Sequence, residues 1–291
     1  MLNHRNLAIL LISCPDRKGI VASVSSFFAE RGFNIVHCQQ HTDPVEGRFF
    51  MRILVDRESA PSLRAYLTEE FQEVAHRFGM EWSMHFSQDV TRIAILASKE
   101  SHCLFDLLCR AHTGDLNGSE IALVISNHPD LEPTAAQFRV PFFLCSVDTA
   151  SRRTQEREVA RLLVQHHVQL AVLARYMQVL SADMLSEVTI PIINIHHAFL
   201  PAFQGAGPYR RAWERGVKMI GATAHYVTSA LDEGPIIEQD VERVTHEESV
   251  EALQKTGRDI ERMVLARSVQ AHLEHRVITH ANRTIVFTPG I

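Results

Sequence analysis

The chain has 291 residues, 46% hydrophobic and 22% charged, with a formal net charge of −5. At about 100–200 residues per domain, that is room for two units with real cores. The balance argues against a disordered chain, and the acidic charge argues against a binder that grips phosphate backbones with clustered Lys and Arg.

The elements follow in chain order. Leu7–Ser13 reads as an apolar strand, and Cys14-Pro15-Asp16-Arg17-Lys18-Gly19 as a turn. Pro15-Asp16-Arg17 cuts the apolar run, and no small-residue cleavage site follows, so this start is not read as a leader. Ile20, Val24, Phe27 and Phe28 fall at helical spacing up to Arg31-Gly32. Ile35–His41 and Phe49–Val55 are strands joined by a turn with Asp43-Pro44 and Gly47. Leu63, Tyr66, Leu67, Phe71, Val74 and Phe78 give a second helix ended by Gly79. Trp82, Met84 and Phe86 alternate as a fourth strand. The order βαββαβ is the ferredoxin-like pattern.

A junction lies at Gln88-Asp89-Val90, dividing a unit of residues 1–87 from one of 91–291. Beyond it the pattern becomes βα repeats. Strands are expected near Ile93–Ala97, Ile121–Ser126, Phe142–Cys145, Leu170–Ala174 and Ile192–His196, with helices such as Leu104–Cys109 and Val159–His167 between them. This predicts a Rossmann-like, mostly parallel sheet, so the fold class is α/β. Ile220–Val227 and Ile236–Arg243 are further strands, a long helix runs from about Val250 to His275, and short strands at Val277–Thr279 and Thr284–Phe287 close the chain.

No apolar stretch approaches the ~20 residues of a membrane helix. The five cysteines are Cys14, Cys38, Cys103, Cys109 and Cys145. They are scattered and lack CxxC spacing, which fits reduced thiols and a cytoplasmic protein. Seventeen histidines invite a metal reading. Their spacing opposes it, because there is no HExxH and His166-His167 and His196-His197 are adjacent pairs whose side chains diverge. No metal is expected.

Asn194 and His196 stand two apart at the end of a buried strand, so their side chains emerge on one face. Ligands of open α/β sheets bind beyond the carboxyl ends of the strands. A loop with apolar anchors follows, His197-Ala198-Phe199-Leu200-Pro201-Ala202-Phe203-Gln204-Gly205, then Gly207-Pro208-Tyr209. Gly221-Ala222-Thr223-Ala224-His225 and Leu231-Asp232-Glu233-Gly234-Pro235-Ile236-Ile237 come later.

These strings, at these distances, resemble the folate-dependent formyltransferase family from about Arg92 onward. The resemblance implies a formyltransferase fold and a catalytic trio of Asn194, His196 and Asp232. It implies 10-formyltetrahydrofolate as the substrate, with no separate cofactor. The stretch Leu173-Ala174-Arg175-Tyr176-Met177-Gln178-Val179-Leu180 is similar to the family's pterin-binding loop, which implies folate contacts at Met177, Gln178, Val179 and Leu180, with Gly205 and His225 as further candidates. For His225, a plain buried strand histidine is an equal alternative. Gly207 stands where many relatives carry a basic residue.

The first unit resembles an ACT domain through its Asp16-Arg17-Lys18-Gly19 turn and Gly32-Phe33-Asn34-Ile35. That implies an amino-acid effector site with Asp16, Arg17, Gly19 and Asn34 as candidates, or else a pairing module without ligand. A homo-oligomer is expected, because such units pair edge to edge.

An ACT unit before this catalytic domain implies a hydrolase, with 10-formyltetrahydrofolate and water giving tetrahydrofolate and formate. The implied pathway role is balancing one-carbon pools and supplying formate for purine synthesis. The residues agree on the acceptor. In the similar transferases that take a phosphorylated acceptor, a Gly-rich loop after the unit's first strand lets backbone N–H groups reach the phosphate; here that turn reads Ala97-Ser98-Lys99-Glu100-Ser101-His102-Cys103, without glycine. Ser101 is read instead as a cap of the next helix. A nucleic-acid acceptor is disfavoured by the acidic charge. Two alternatives remain: a transferase with an unphosphorylated acceptor, and a non-catalytic folate or amino-acid sensor.

Overall fold

The computed structural model describes residues 6–57, 63–116, 118–146, 152–201 and 208–289. They form two units. The first contains β1 (Asn6–Pro15), α1 (Ile20–Glu30), β2 (Asn34–Asp43), β3 (Arg48–Arg57), α2 (Leu63–Phe78) and β4 (Glu81–Phe86). Its sheet has the order β2-β3-β1-β4, antiparallel throughout. Period-two alternation sends Ala8, Leu10, Ile12 and Cys14 of β1, and Phe49, Met51, Ile53 and Val55 of β3, into one core. The helices cover it with Val24, Phe27 and Phe28 from α1 and Leu67, Phe71 and Phe78 from α2. Phe71 meets Phe27 and Trp82 edge-on, at 5.1 and 5.0 Å between ring centroids. Gly19 turns the chain into α1 with φ 94°, a left-handed value that glycine adopts freely.

The tail packs differently from the sequence division. The described residues of Glu274–His280 and Ile285–Ile291 group with the first unit. Arg52 of β3 is buried, and its guanidinium donates to the carbonyls of His275 and Glu274 at 2.9 and 3.0 Å. His280 lies 2.6 Å from Glu46 and edge-on to Phe50.

The second unit contains β5 (Thr91–Ala97), α3 (His102–Thr113), β6 (Ser119–Ser126), α4 (Glu132–Gln137), β7 (Phe142–Leu144), α5 (Arg152–Gln165), β8 (Leu170–Leu173), α6 (Ala182–Glu187), β9 (Ile192–His196), α7 (Pro208–Arg215), β10 (Met219–Tyr226), β11 (Ile236–Arg243) and α8 (Val250–Leu273). The seven-stranded sheet has the order β11-β10-β9-β8-β5-β6-β7. From β9 to β7 neighbouring strands are parallel, whereas β10 is antiparallel to both of its neighbours. The central strands are apolar along their length because helices cover both faces, and every residue of β8 is buried. α8 packs against β10 and β11 through residues such as Ile260, Val264 and Leu265. The shorter helices α4, α6 and α7 lack a long apolar period, so only the structure marks them. β12 (Val277–His280) and β13 (Arg283–Val286) form a closing hairpin. Among the described residues, no helix is long and apolar enough to cross a membrane.

Phe71 is fully buried between two aromatic partners. Phe71→Ala should therefore cost about 3–5 kcal/mol in urea denaturation. A loss of only about 0.5 kcal/mol, as for a surface residue, would contradict this packing.

Candidate active site

The site starts from one strand pairing. β10 lies antiparallel to β9, with His225 opposite Asn194 and Thr223 opposite His196. Opposed residues of an antiparallel pair share a face. A register shift between Ala224 and His225 on the β11 side bends β10 at this point. Thr223 is buried, and its hydroxyl donates to the Ala198 carbonyl at 2.9 Å and accepts the Leu200 N–H at 3.0 Å. It thereby fixes the backbone that leaves His196.

His225 Nδ1 lies 2.9 Å from the Tyr226 carbonyl. A carbonyl only accepts, so Nδ1 carries the proton. Nε2 then accepts from the Asn194 amide at 3.2 Å. This bond orients the Asn194 amide.

Asp232 arrives from the turn between β10 and β11. Its φ is 56°, a left-handed conformation that Asp tolerates better than most residues. Gly234 makes the turn possible, because a Cβ there would stand 1.7 Å from the Tyr226 carbonyl oxygen. The turn brings Asp232 Oδ2 to 3.2 Å from His196 Nδ1 and Oδ1 to 3.7 Å from His225 Nε2. The hydrogen bond from His196 holds the Asp232 carboxyl well below the usual carboxylate range, against the opposing effect of burial. Among the described residues, His196 Nε2 has no hydrogen-bond partner.

These groups line one cavity of about 290 Å³. Its walls are the 175–180 loop, the strand end at 194–197 and the 227–232 turn. The loop is held in place from behind. Ser98 Oγ accepts the Met177 N–H at 2.9 Å, and the Gln155 amide donates to the Tyr176 hydroxyl at 2.6 Å. Burial pushes the Tyr176 hydroxyl up to about 12. Glu156 takes both the N–H and the hydroxyl of Ser181. Met177, Val179 and Leu231 are exposed apolar groups at the rim.

The structure thus brings Met177, Gln178, Val179, Leu180, Asn194, His196, His225 and Asp232 around one cavity. Gly205 and Gly207 lie outside the described residues. Asp16, Arg17 and Gly19 sit on the exposed turn before α1, and Asn34 opens β2, also exposed. The Asp16 N–H is spent on the Gly47 carbonyl at 2.7 Å.

Two further features differ from or go beyond the sequence reading. Ser101 stands at the N-cap position of α3, but its hydroxyl makes no capping bond. The side chain of the next residue, His102, reaches instead to Glu261 at 2.8 Å. Glu261, Tyr209 and Arg175 form a buried network with it, and no sequence spacing connects them. Among the described residues, His102, Cys103 and Glu261 have ligand atoms near enough to one another to hold a metal. Burial, then the charge of Glu261, pushes the Cys103 thiol well up. Both Glu261 oxygens already accept hydrogen bonds.

The lowered Asp232 pKa fixes a sign. A depressed carboxylate contributes stability that is present above its unfolded value and lost as pH falls through the folded one. The stability difference between wild type and Asp232→Asn should be full near neutrality and shrink in acid, below the ordinary carboxylate range. Denaturation curves at several pH values check this, and a pH-independent difference would contradict it.

Comparison with known proteins agrees with this geometry. The family model for formyl transferase matches residues 91–269, and that for the ACT domain matches residues 8–68. A formyltetrahydrofolate deformylase of Bacillus subtilis is 51% identical over 279 residues, covering 96% of this chain and 93% of the relative. The crystal structure of a formyltetrahydrofolate deformylase from Pseudomonas syringae superposes with a TM-score of 0.95 at 46% identity, covering 99% of this chain and 96% of that one. The structure of glycinamide ribonucleotide transformylase 1 from Symbiobacterium toebii matches with a TM-score of 0.64 at 31% identity, over 70% of this chain and 97% of that one. With an ACT domain ahead of a formyl transferase domain and near-full-length relatives at this identity, the chain belongs to the formyltetrahydrofolate deformylase family.

Proposed function

We propose that this protein hydrolyses 10-formyltetrahydrofolate to tetrahydrofolate and formate, with Asn194, His196 and Asp232 as its catalytic residues. The observation that carries the reading is the trio's geometry. An oriented amide and an unpartnered imidazole nitrogen face one cavity, and a carboxylate 3.2 Å away backs that imidazole. The exposed apolar side chains of Met177 and Val179, on the 177–180 loop, suit the face of a flat ring system.

The chemistry is an acyl transfer to water. Water, oriented by Asp232, attacks the formyl carbon: its oxygen bonds to that carbon, its proton passes to the Asp232 carboxylate, and the C=O π pair moves to the formyl oxygen, where negative charge builds. The Asn194 N–H and the protonated Nε2 of His196 donate hydrogen bonds to that oxygen. Asp232 accepts from Nδ1 and stabilises the imidazolium. The C–N bond then breaks, the leaving nitrogen takes a proton relayed from His196 or water, and formate departs. His225 supports the reading as the group that orients Asn194.

The wider proposal includes contacts to folate from the 177–180 loop, no separate cofactor, an effector at the Asp16–Asn34 side of the first unit and a homo-oligomer. A cytoplasmic location fits the five free cysteines. A transferase with an unphosphorylated acceptor would use the same trio, and formate release without any added acceptor separates the two.

Asn194→Ala and His196→Ala should keep the wild-type fold by circular dichroism. Loss of one oxyanion donor in Asn194→Ala should lower kcat by about 10²–10³-fold. Wild-type turnover by either folded variant would remove that residue from the trio.

A further inference from the structure

Asn127 is a buried amide that the hydrolytic chemistry does not use and that does not line the cavity. It stands one residue beyond β6, and Ser98 stands one residue beyond β5, the parallel neighbour, where Ala97 is the partner of Ser126. Asn127 Oδ1 accepts from the Ser98 hydroxyl at 2.7 Å. Ser126 ties the same two strand ends together. Its hydroxyl donates to the Ser98 carbonyl at 3.3 Å and accepts the His128 N–H at 3.1 Å. Ser98 and Ser126 are buried as well.

The direction of these bonds is what matters. A hydroxyl has one proton and two lone pairs. Ser98 spends its proton on Asn127 Oδ1, which leaves its lone pairs for the Met177 N–H, 2.9 Å away. That N–H opens the 177–180 stretch. The chain reaches it through Arg175, whose φ of 63° turns the backbone just after β8. With its N–H held inward by Ser98, Met177 keeps its side chain exposed on the cavity wall. An apolar residue at 127 would take away the acceptor of a buried hydroxyl proton, and that proton would then compete for the place of the Met177 N–H. An amide oxygen supplies the acceptor without burying a charge.

We propose that Asn127 is a positioning residue for the folate pocket and that it acts through Ser98. Its Oδ1 orients the Ser98 hydroxyl, the hydroxyl fixes the Met177 N–H, and that bond sets the loop against which the folate ring binds. The proposal rests on the folate reading of the 177–180 loop.

A double-mutant cycle in the full-length protein tests it, with Asn127→Ala, Ser98→Ala and the variant carrying both. Two quantities are read: kcat and KM for 10-formyltetrahydrofolate, and deuterium exchange of the 176–181 segment without substrate. Asn127→Ala should raise KM about fivefold, as expected for the loss of one ordinary hydrogen bond. Ser98→Ala should raise it at least as much. In both, kcat should stay within about twofold of wild type, since the trio is untouched. The double variant should match Ser98→Ala, because without the hydroxyl Asn127 has nothing to orient. Exchange of 176–181 should speed up in all three. Asn127→Asp keeps the accepting oxygen and should restore both KM and protection. If Asn127→Ala is not recovered folded, Asn127→Asp and Ser98→Ala carry the test. KM effects that multiply in the double variant would overturn the proposal. So would a lowered Tm with KM and exchange unchanged, or a KM in Asn127→Asp as high as in Ser98→Ala. Absence of turnover by the wild type would sink the hydrolase reading alone, since the exchange cycle does not depend on turnover.

Discussion

The antiparallel pairing of β10 with β9 is the constraint on which the site depends. In a purely parallel sheet, the strand next to β9 would begin far from the His196 end. Because β10 runs the other way, its last residues lie beside Asn194, and the turn that follows returns Asp232 to His196. The bend in β10 at His225 and the glycine at 234 serve the same end, since both let the backbone fold closely over the strand terminus. The His196–Asp232 pair is thus a product of topology before it is a product of chemistry.

The cavity loop is not held by its own side chains but by Ser98, Gln155 and Glu156, which belong to the strand end of β5 and to α5. Thr223 performs the same service for the segment after His196. A polar site can be this well ordered because its supporting groups are themselves buried and fully bonded.

Much of this was legible in the sequence. The core face of the first unit follows from strand alternation and helical spacing, as with Leu10, Ile12, Phe27 and Phe71, and the buried strands of the second unit from continuous apolar runs such as Leu170–Leu173. Asn194 and His196 stand out because two residues apart on a buried strand is a local signal. Asp232 carries no such signal, and only its family resemblance singled it out, because a turn between two strands creates the proximity. Glu261, His102, Arg175 and Tyr209 were not legible, since four separate elements supply them and no period links them. Ser101 was misread as a cap for a related reason. Local propensity favoured it, while the actual tie at that helix start is a long-range one to α8. The packing of the tail with the first unit was also hidden, because Arg52 reads as the polar face of a strand until its guanidinium is seen holding two carbonyls.

Hydrolysis is the central claim, and isotope incorporation tests it most directly. The purified protein is supplied with 10-formyltetrahydrofolate in ¹⁸O-labelled water and no other acceptor. The account predicts repeated turnover, with tetrahydrofolate and formate formed in equal amounts and one solvent oxygen in each formate. Retention of the formyl group until an amine acceptor is added would contradict it.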